Sequence, residues 1–176
     1  AHSRLIRQNG STMRLHVPIK LRWSDLDAYG HVNNAEMLRL LEEARIQAFW
    51  VADDGSDGES LDTLAAGGST AIIDGRPGAA TLTLIARQEV EYLLPVPYLR
   101  DPLDIELWIG RLGGASLEVC YEIFTPAGIE PRKLFTRAST TLVMVDAATE
   151  RPRRINDRER DAWSPYLDEP IVFSRR

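Results

Sequence analysis

The chain has 176 residues, 44% of them apolar, and a formal charge of -5. That length fits a single domain able to bury roughly 70% of the surface its unfolded chain exposes, without a disulfide or metal staple. The single cysteine, Cys120, excludes an internal disulfide and a thiolate metal cluster, and the acidic balance disfavours a general nucleic-acid surface. No run approaches the ~18 apolar residues of a membrane span, and no apolar signal core opens the chain, so a cytoplasmic location is expected with no membrane partner.

Residues 1–13 are polar and irregular and read as an N-terminal arm. From His16 to Trp23, Val17, Ile19, Leu21 and Trp23 alternate with Lys20 and Arg22, the pattern of a half-buried strand. Within the polar run that follows, Asn33 is a plausible N-cap, with Glu36 placed to complete a capping box. Met37, Leu38, Leu41, Ala44, Ala48 and Phe49 then recur at helical spacing. Glu36, Arg39, Glu42, Glu43 and Arg45 supply the polar face of a helix from Asn34 to about Val51. Residues 53–60 are a loop by composition, and the Gly67-Gly68 pair and Gly75 to Gly78 break any long element before residue 80.

The remainder reads as strands: Thr81 to Tyr92, Leu103 to Arg111, Ser116 to Phe124 and Lys133 to Val145. Gly113-Gly114 supplies one hairpin turn and Thr125 to Gly128 another. Residues 147–176 form a C-terminal extension with a short helix, a tail and a solvated charge run at Arg151 to Arg154. A strand, a long helix and four strands on short turns define an α+β domain over 14–146 with a mostly antiparallel sheet. One helix covers only one sheet face, so the edges and the other face invite oligomerisation.

Chemistry concentrates in Asp25-Leu26-Asp27-Ala28-Tyr29-Gly30-His31-Val32-Asn33-Asn34. Two carboxylates, a histidine and two amides precede a helix N-terminus, where developing negative charge is stabilised. Gly30 supplies a backbone angle the turn needs. Asn33 reads mainly as the helix cap, and Asp25 as structural or solvated. His31 either orients water or substrate or holds the loop by a backbone hydrogen bond. Tyr29 either lines a pocket or packs. Glu42 and Glu43 read as solvated helix-face charges, and Trp50 as a core or interface residue. His2, His16 and His31 lack metal-ligand spacing, so no metal is expected.

Arg22-Trp23-Ser24-Asp25 through Asn34, followed by Leu41-Glu42-Glu43-Ala44-Arg45, resembles the hotdog-fold thioesterases. The closest pattern is the 4-hydroxybenzoyl-CoA thioesterase-like acyl-CoA thioesterases, and the motif is also similar to plant acyl-ACP thioesterases. Glu89 to Val96 resembles the second strand of that fold and its closing turn. Tyr29 stands where the plant enzymes carry asparagine, which places the chain nearer the bacterial acyl-CoA group.

The resemblance implies a long central helix wrapped by an antiparallel sheet, assembling as a homodimer or dimer of dimers with sites at the dimer interface. It implies hydrolysis of acyl-CoA, with acyl-ACP as the alternative donor, and no cofactor. Asp27 matches the catalytic carboxylate and the backbone N–H near Asn34 the group that polarises the thioester carbonyl. His31 joins them as a catalytic candidate. Tyr29, Gly30, Asn33 and Glu43 are the substrate-binding candidates, and Arg87, Arg100 and Arg111 are weighed as CoA-phosphate contacts against plain solvated surface. A thioester needs less general-acid help than an amide, because thiolate is a good leaving group. One carboxylate therefore suffices, either by direct attack or by activating water. A non-catalytic acyl-CoA binder and a hotdog hydratase or dehydratase are the alternatives. The motif lacks the D-x-N-P-x-x-H style histidine of the latter.

Overall fold

The computed structural model describes residues 13–51 and 70–175. The expected loop at 53–60, the Gly67-Gly68 pair and nearly all of the N-terminal arm lie outside the described residues.

Strand β1 (Leu15–Ile19) leads through a 3₁₀ turn (Trp23–Asp25) and the motif loop into helix α1 (Asn34–Phe49). Strands β2 (Thr81–Tyr92), β3 (Leu103–Leu112), β4 (Ser116–Phe124) and β5 (Leu134–Asp146) follow. The two-residue strand β6 (Arg151–Pro152), helix α2 (Asp157–Trp163) and a last 3₁₀ turn (Ser164–Tyr166) close the fold. All pairings between these strands are antiparallel, in the order β1-β3-β4-β5-β2, with β6 beside the end of β5.

Most expected elements stand within a residue or two of their predicted ends. The first strand does not: it stops at Ile19, because the chain turns at Trp23–Asp25, and Trp23 stands 74% exposed rather than on the buried face. Its ring stacks on Tyr98, with centroids 4.5 Å apart. The alternation persists up to Leu21, which is buried, so only the last apolar residue of the pattern is turned out.

Helix α1 buries Met37, Leu40, Leu41, Ala44, Ala48 and Phe49 against the inward residues of the sheet, among them Val17, Ile105, Leu107, Val119, Ile123, Leu142 and Met144. At roughly 25 cal/mol per Å² of apolar surface removed from water, this stripe and the wall it meets are the main favourable term holding the helix in place. Two readings of the helix change. Leu38 is half-buried, and Arg45, expected on the polar face, is buried. The helix ends at Phe49, where the Ile73 carbonyl takes the Val51 N–H and the Phe49 carbonyl accepts from Ile72 and Ile73. Trp50 is half-buried and lies against Gly75, which leaves no space there for a side chain.

The outer sheet face is partly covered, against the expectation that one helix leaves it open. The segment after α2 crosses it. Asp168 N–H donates to the Ile109 carbonyl (2.9 Å), Trp108 Nε1 donates to the Glu169 carbonyl (2.9 Å), and Ser174 N–H reaches Glu91 on β2 (2.8 Å). The rest of that face carries charge. Arg14 bridges Glu106 and Glu122 while lying over the Trp108 ring, and Arg132 and His16 meet Asp104. Arg153 corrects the reading of residues 151–154 as a solvated run. Its guanidinium makes two 2.8 Å bonds to the buried Glu159, which also completes the capping box of α2 with Asn156.

Candidate active site

The motif run folds into a tight loop pinned at both sides. Leu26 pairs with Val32, Asp27 N–H donates to the His31 carbonyl (2.7 Å), and Asn33 N–H donates to the Asp25 carbonyl (2.8 Å). Gly30 sits at φ +76°, a left-handed conformation that a side chain resists, so glycine is the natural residue there. Asp25 is fully buried and caps the 3₁₀ turn. Its Oδ2 accepts from Arg22 N–H (2.7 Å) and its Oδ1 from the Arg22 guanidinium (2.9 Å). That removes the solvated alternative for Asp25 and leaves the structural one.

Asp27 is half-buried and asymmetrically held. Oδ1 accepts from Tyr29 N–H (2.8 Å) and His31 N–H (3.2 Å), whereas Oδ2 has no hydrogen bond among the described residues. The turn fixes the carboxylate through one oxygen and leaves the other able to accept a proton or attack a carbon.

The helix start is equally asymmetric. Asn33 caps it, its Oδ1 accepting from Ala35 N–H (2.8 Å). The predicted capping box is absent, because Asn33 N–H, the group Glu36 would reach back to, is already bound to Asp25. Glu36 instead faces Arg39. Asn34 N–H, the first of the helix, has no acceptor among the described residues. The Tyr92 hydroxyl, at the end of β2, donates to the Asn34 carbonyl (2.7 Å) and ties the first helical turn to the sheet. Sequence reading missed Tyr92, since nothing local to a strand end signals a partner fifty-eight residues away.

His31 is half-buried and bridges to Pro97. It opens onto a cavity of about 550 Å³ that also touches Leu94, Leu99, Arg100, Lys133 and Phe135. Tyr29 is 86% exposed and neither packs nor lines that cavity. Glu43 is exposed and accepts from Gln47 one turn on (3.0 Å). Arg87 is exposed and paired with Glu89, and Arg111 is exposed. The structure thus brings Asp27, His31, Asn33 and Asn34 together with Arg100 nearby, and leaves Arg87 and Arg111 elsewhere on the surface. Among the described residues no group of His, Cys, Asp and Glu is placed to hold a metal ion, and no helix is long and apolar enough to cross a membrane.

One antiparallel sheet curled around a single long helix, with the polar loop at the helix start, defines the hotdog fold, an α+β architecture. Residues 21–164 match the thioesterase-like superfamily, and the chain belongs to that family. Solved structures agree. The PA2801 protein of Pseudomonas aeruginosa, described as a thioesterase, is 28% identical over 84% of this chain and 96% of its own, with a TM-score of 0.62. A Bacillus stearothermophilus protein, also described as a thioesterase, is 21% identical over 90% of this chain and all of its own, with a TM-score of 0.65. A Thermus thermophilus thioesterase solved with coenzyme A and zinc is 24% identical over 89% and 96% of the two chains, with a TM-score of 0.60. At the latter two identities the likeness speaks for the fold alone. No curated protein matches the chain by sequence.

Proposed function

We propose that this chain hydrolyses acyl-CoA thioesters to the free acid and CoA, with Asp27 and the first N–H of α1 as its working groups. Membership of the thioesterase-like superfamily supports thioester hydrolysis in general. The observation that carries the finer reading is the pair of unengaged groups on one loop: Oδ2 of Asp27 and the N–H of Asn34.

In this reading the thioester carbonyl oxygen lies at the Asn34 N–H, where the helix dipole adds to the hydrogen bond. A fixed donor of this kind is commonly worth 10²–10³ in rate. Asp27 Oδ2 then acts in one of two ways. It attacks the carbonyl carbon and the intermediate expels CoA thiolate, leaving a mixed anhydride that water opens to the acid and the Asp27 carboxylate. Alternatively it takes a proton from a water that attacks directly, and the thiolate leaves with that proton. His31 and Arg100 line the cavity beside the loop, and the pantetheine arm and a CoA phosphate are assigned to it. Asn33 serves as the cap that aims the helix end.

The reading includes a second copy of the chain. Strand β2 is the open end of the sheet and exposes Leu82, Leu84, Ile85 and Tyr92, apolar content that fits pairing with a second copy. The direct test is CoA release from a panel of short, medium, long and aromatic acyl-CoA thioesters, run beside sedimentation of the protein. Turnover of at least one class by a dimer or larger assembly is expected. A blank across the whole panel overturns the hydrolase.

A further inference from the structure

The one buried arginine of α1 is short of acceptors. Arg45 is only 4% exposed, although its side chain forms part of the wall of a second cavity, of about 680 Å³, between α1, β2 and the 74–77 loop. One nitrogen, Nη1, meets the Tyr121 hydroxyl (3.0 Å). The Nε is buried with no acceptor among the described residues. The nearest carboxylate, Glu42, stands 3.8 Å from Nη2, beyond hydrogen-bond reach, with its own side chain 57% exposed. A guanidinium withdrawn from water normally has a carboxylate in hydrogen-bond contact, and one whose only carboxylate stands at 3.8 Å carries a desolvation cost that is not fully offset. Nε is itself out of reach of the cavity, so Nη2, held only by the distant Glu42, is the nitrogen left to meet a carboxylate entering it.

The rest of the cavity describes what brings that carboxylate. Ile46, Trp50, Ile85 and Leu142 give it apolar walls; of its other charges, Asp74 and Arg76 satisfy each other at 2.8 Å, and Glu42 stands at its rim, 3.8 Å from Arg45. Arg45 stands eleven residues on from Asn34, about 16 Å along the helix at 1.5 Å per residue. Resting on the acyl-CoA hydrolase reading above, we propose that the enzyme prefers acyl groups that carry a carboxylate at their far end. The hydrocarbon lies along α1 against the apolar wall and the terminal carboxylate meets Arg45. Arg45 is then a specificity residue, remote from the reacting atoms.

The test compares kcat/KM for pairs of acyl-CoA thioesters of equal chain length, one ending in methyl and the other in carboxylate, across a range of lengths. The carboxylate member is expected to win by about tenfold or more at the matching length, as a charge-assisted bond predicts. Arg45→Met is expected to collapse that ratio and Arg45→Lys to weaken it. Because a buried arginine is risky to replace, Glu42→Gln on the exposed helix face provides a second variant. It removes the competing carboxylate and is expected to raise the ratio. Equal or better use of the methyl-ended member at every length overturns the inference and leaves the hydrolase standing. A blank panel overturns the hydrolase instead. The preference is then read from thermal protection of Asp27→Asn protein by the same pairs, where equal protection overturns it.

Discussion

Replacing Asp27 in two different ways separates chemistry from scaffolding. Asparagine keeps an oxygen in the Oδ1 position, so the bonds from Tyr29 N–H and His31 N–H survive and only the unengaged Oδ2 is lost. Folding free energy should therefore change by less than about 0.5 kcal/mol, while activity falls by about 10²–10⁴, the usual contribution of a positioned base. Alanine removes both bonds as well. At about 0.5–1 kcal/mol each on a half-exposed loop, Asp27→Ala should cost about 1–2 kcal/mol of stability on top of the same loss in rate. Urea unfolding midpoints give the first quantity and CoA release under substrate saturation the second. An Asp27→Asn enzyme that turns over at the native rate would refute the role of this carboxylate. An Asp27→Ala protein as stable as the parent would refute the account of the loop.

Three further outcomes follow from the fold. Gly110→Ala would place a Cβ 2.7 Å from Cys120 Sγ and 3.1 Å from Pro170 Cα, so a loss of about 1–3 kcal/mol is expected, and an unchanged urea midpoint would mean that the C-terminal segment does not sit on β3 as described. Burial alone would raise the Asp104 pKa, but the hydrogen bonds and charges of His16 and Arg132 outweigh it and hold the carboxyl below its ordinary range. Its stabilising effect is thus present above the unfolded value of about 3.9 and is lost as pH falls through the lower folded one. Asp104→Asn should flatten the acid limb of a stability-versus-pH curve, and an identical limb would exclude this cluster. Burial pushes the Cys120 thiol up to about 11. A thiol reagent at about pH 8 should find it only after unfolding, so rapid labelling of native protein would contradict the packing of β4.

Strands β2 to β5 were legible because each is a long alternating or apolar run bounded by glycine and proline, a signal contained within the element. The helix and its Asn33 cap were legible for the same reason. What escaped depends on partners far along the chain. Arg45 shares the buried stripe of Leu41, Ala44 and Ala48 by spacing, yet its charge pointed to the surface, and the hydroxyl that receives it belongs to Tyr121 on β4. The missing capping box has a nearer cause: a local rule assigned Glu36 a donor that the loop gives to Asp25. In the candidate site, the motif located the loop and the helix end. Only the folded loop distinguishes the engaged from the unengaged oxygen of Asp27, and only the folded sheet brings Tyr92 to the first turn.

The two ends of the sheet differ in kind, and that difference sets a count. At one end β1 is five residues long, with His16 and Pro18 turned outward, and proline has no N–H to offer a newcomer. Beyond it the chain's own Leu167 lies beside Ile109, occupying the border of β3 that β1 leaves uncovered. At the other end β2 runs twelve residues, its first half exposing Leu82, Leu84 and Ile85 and its second half carrying Arg87, Gln88, Glu89 and Glu91. An object with one adhesive border and one inert border can join a like object once, and the union leaves both adhesive borders spent. If copies pair through β2 as proposed, edge-to-edge growth stops at two copies, since each then presents only its β1 border.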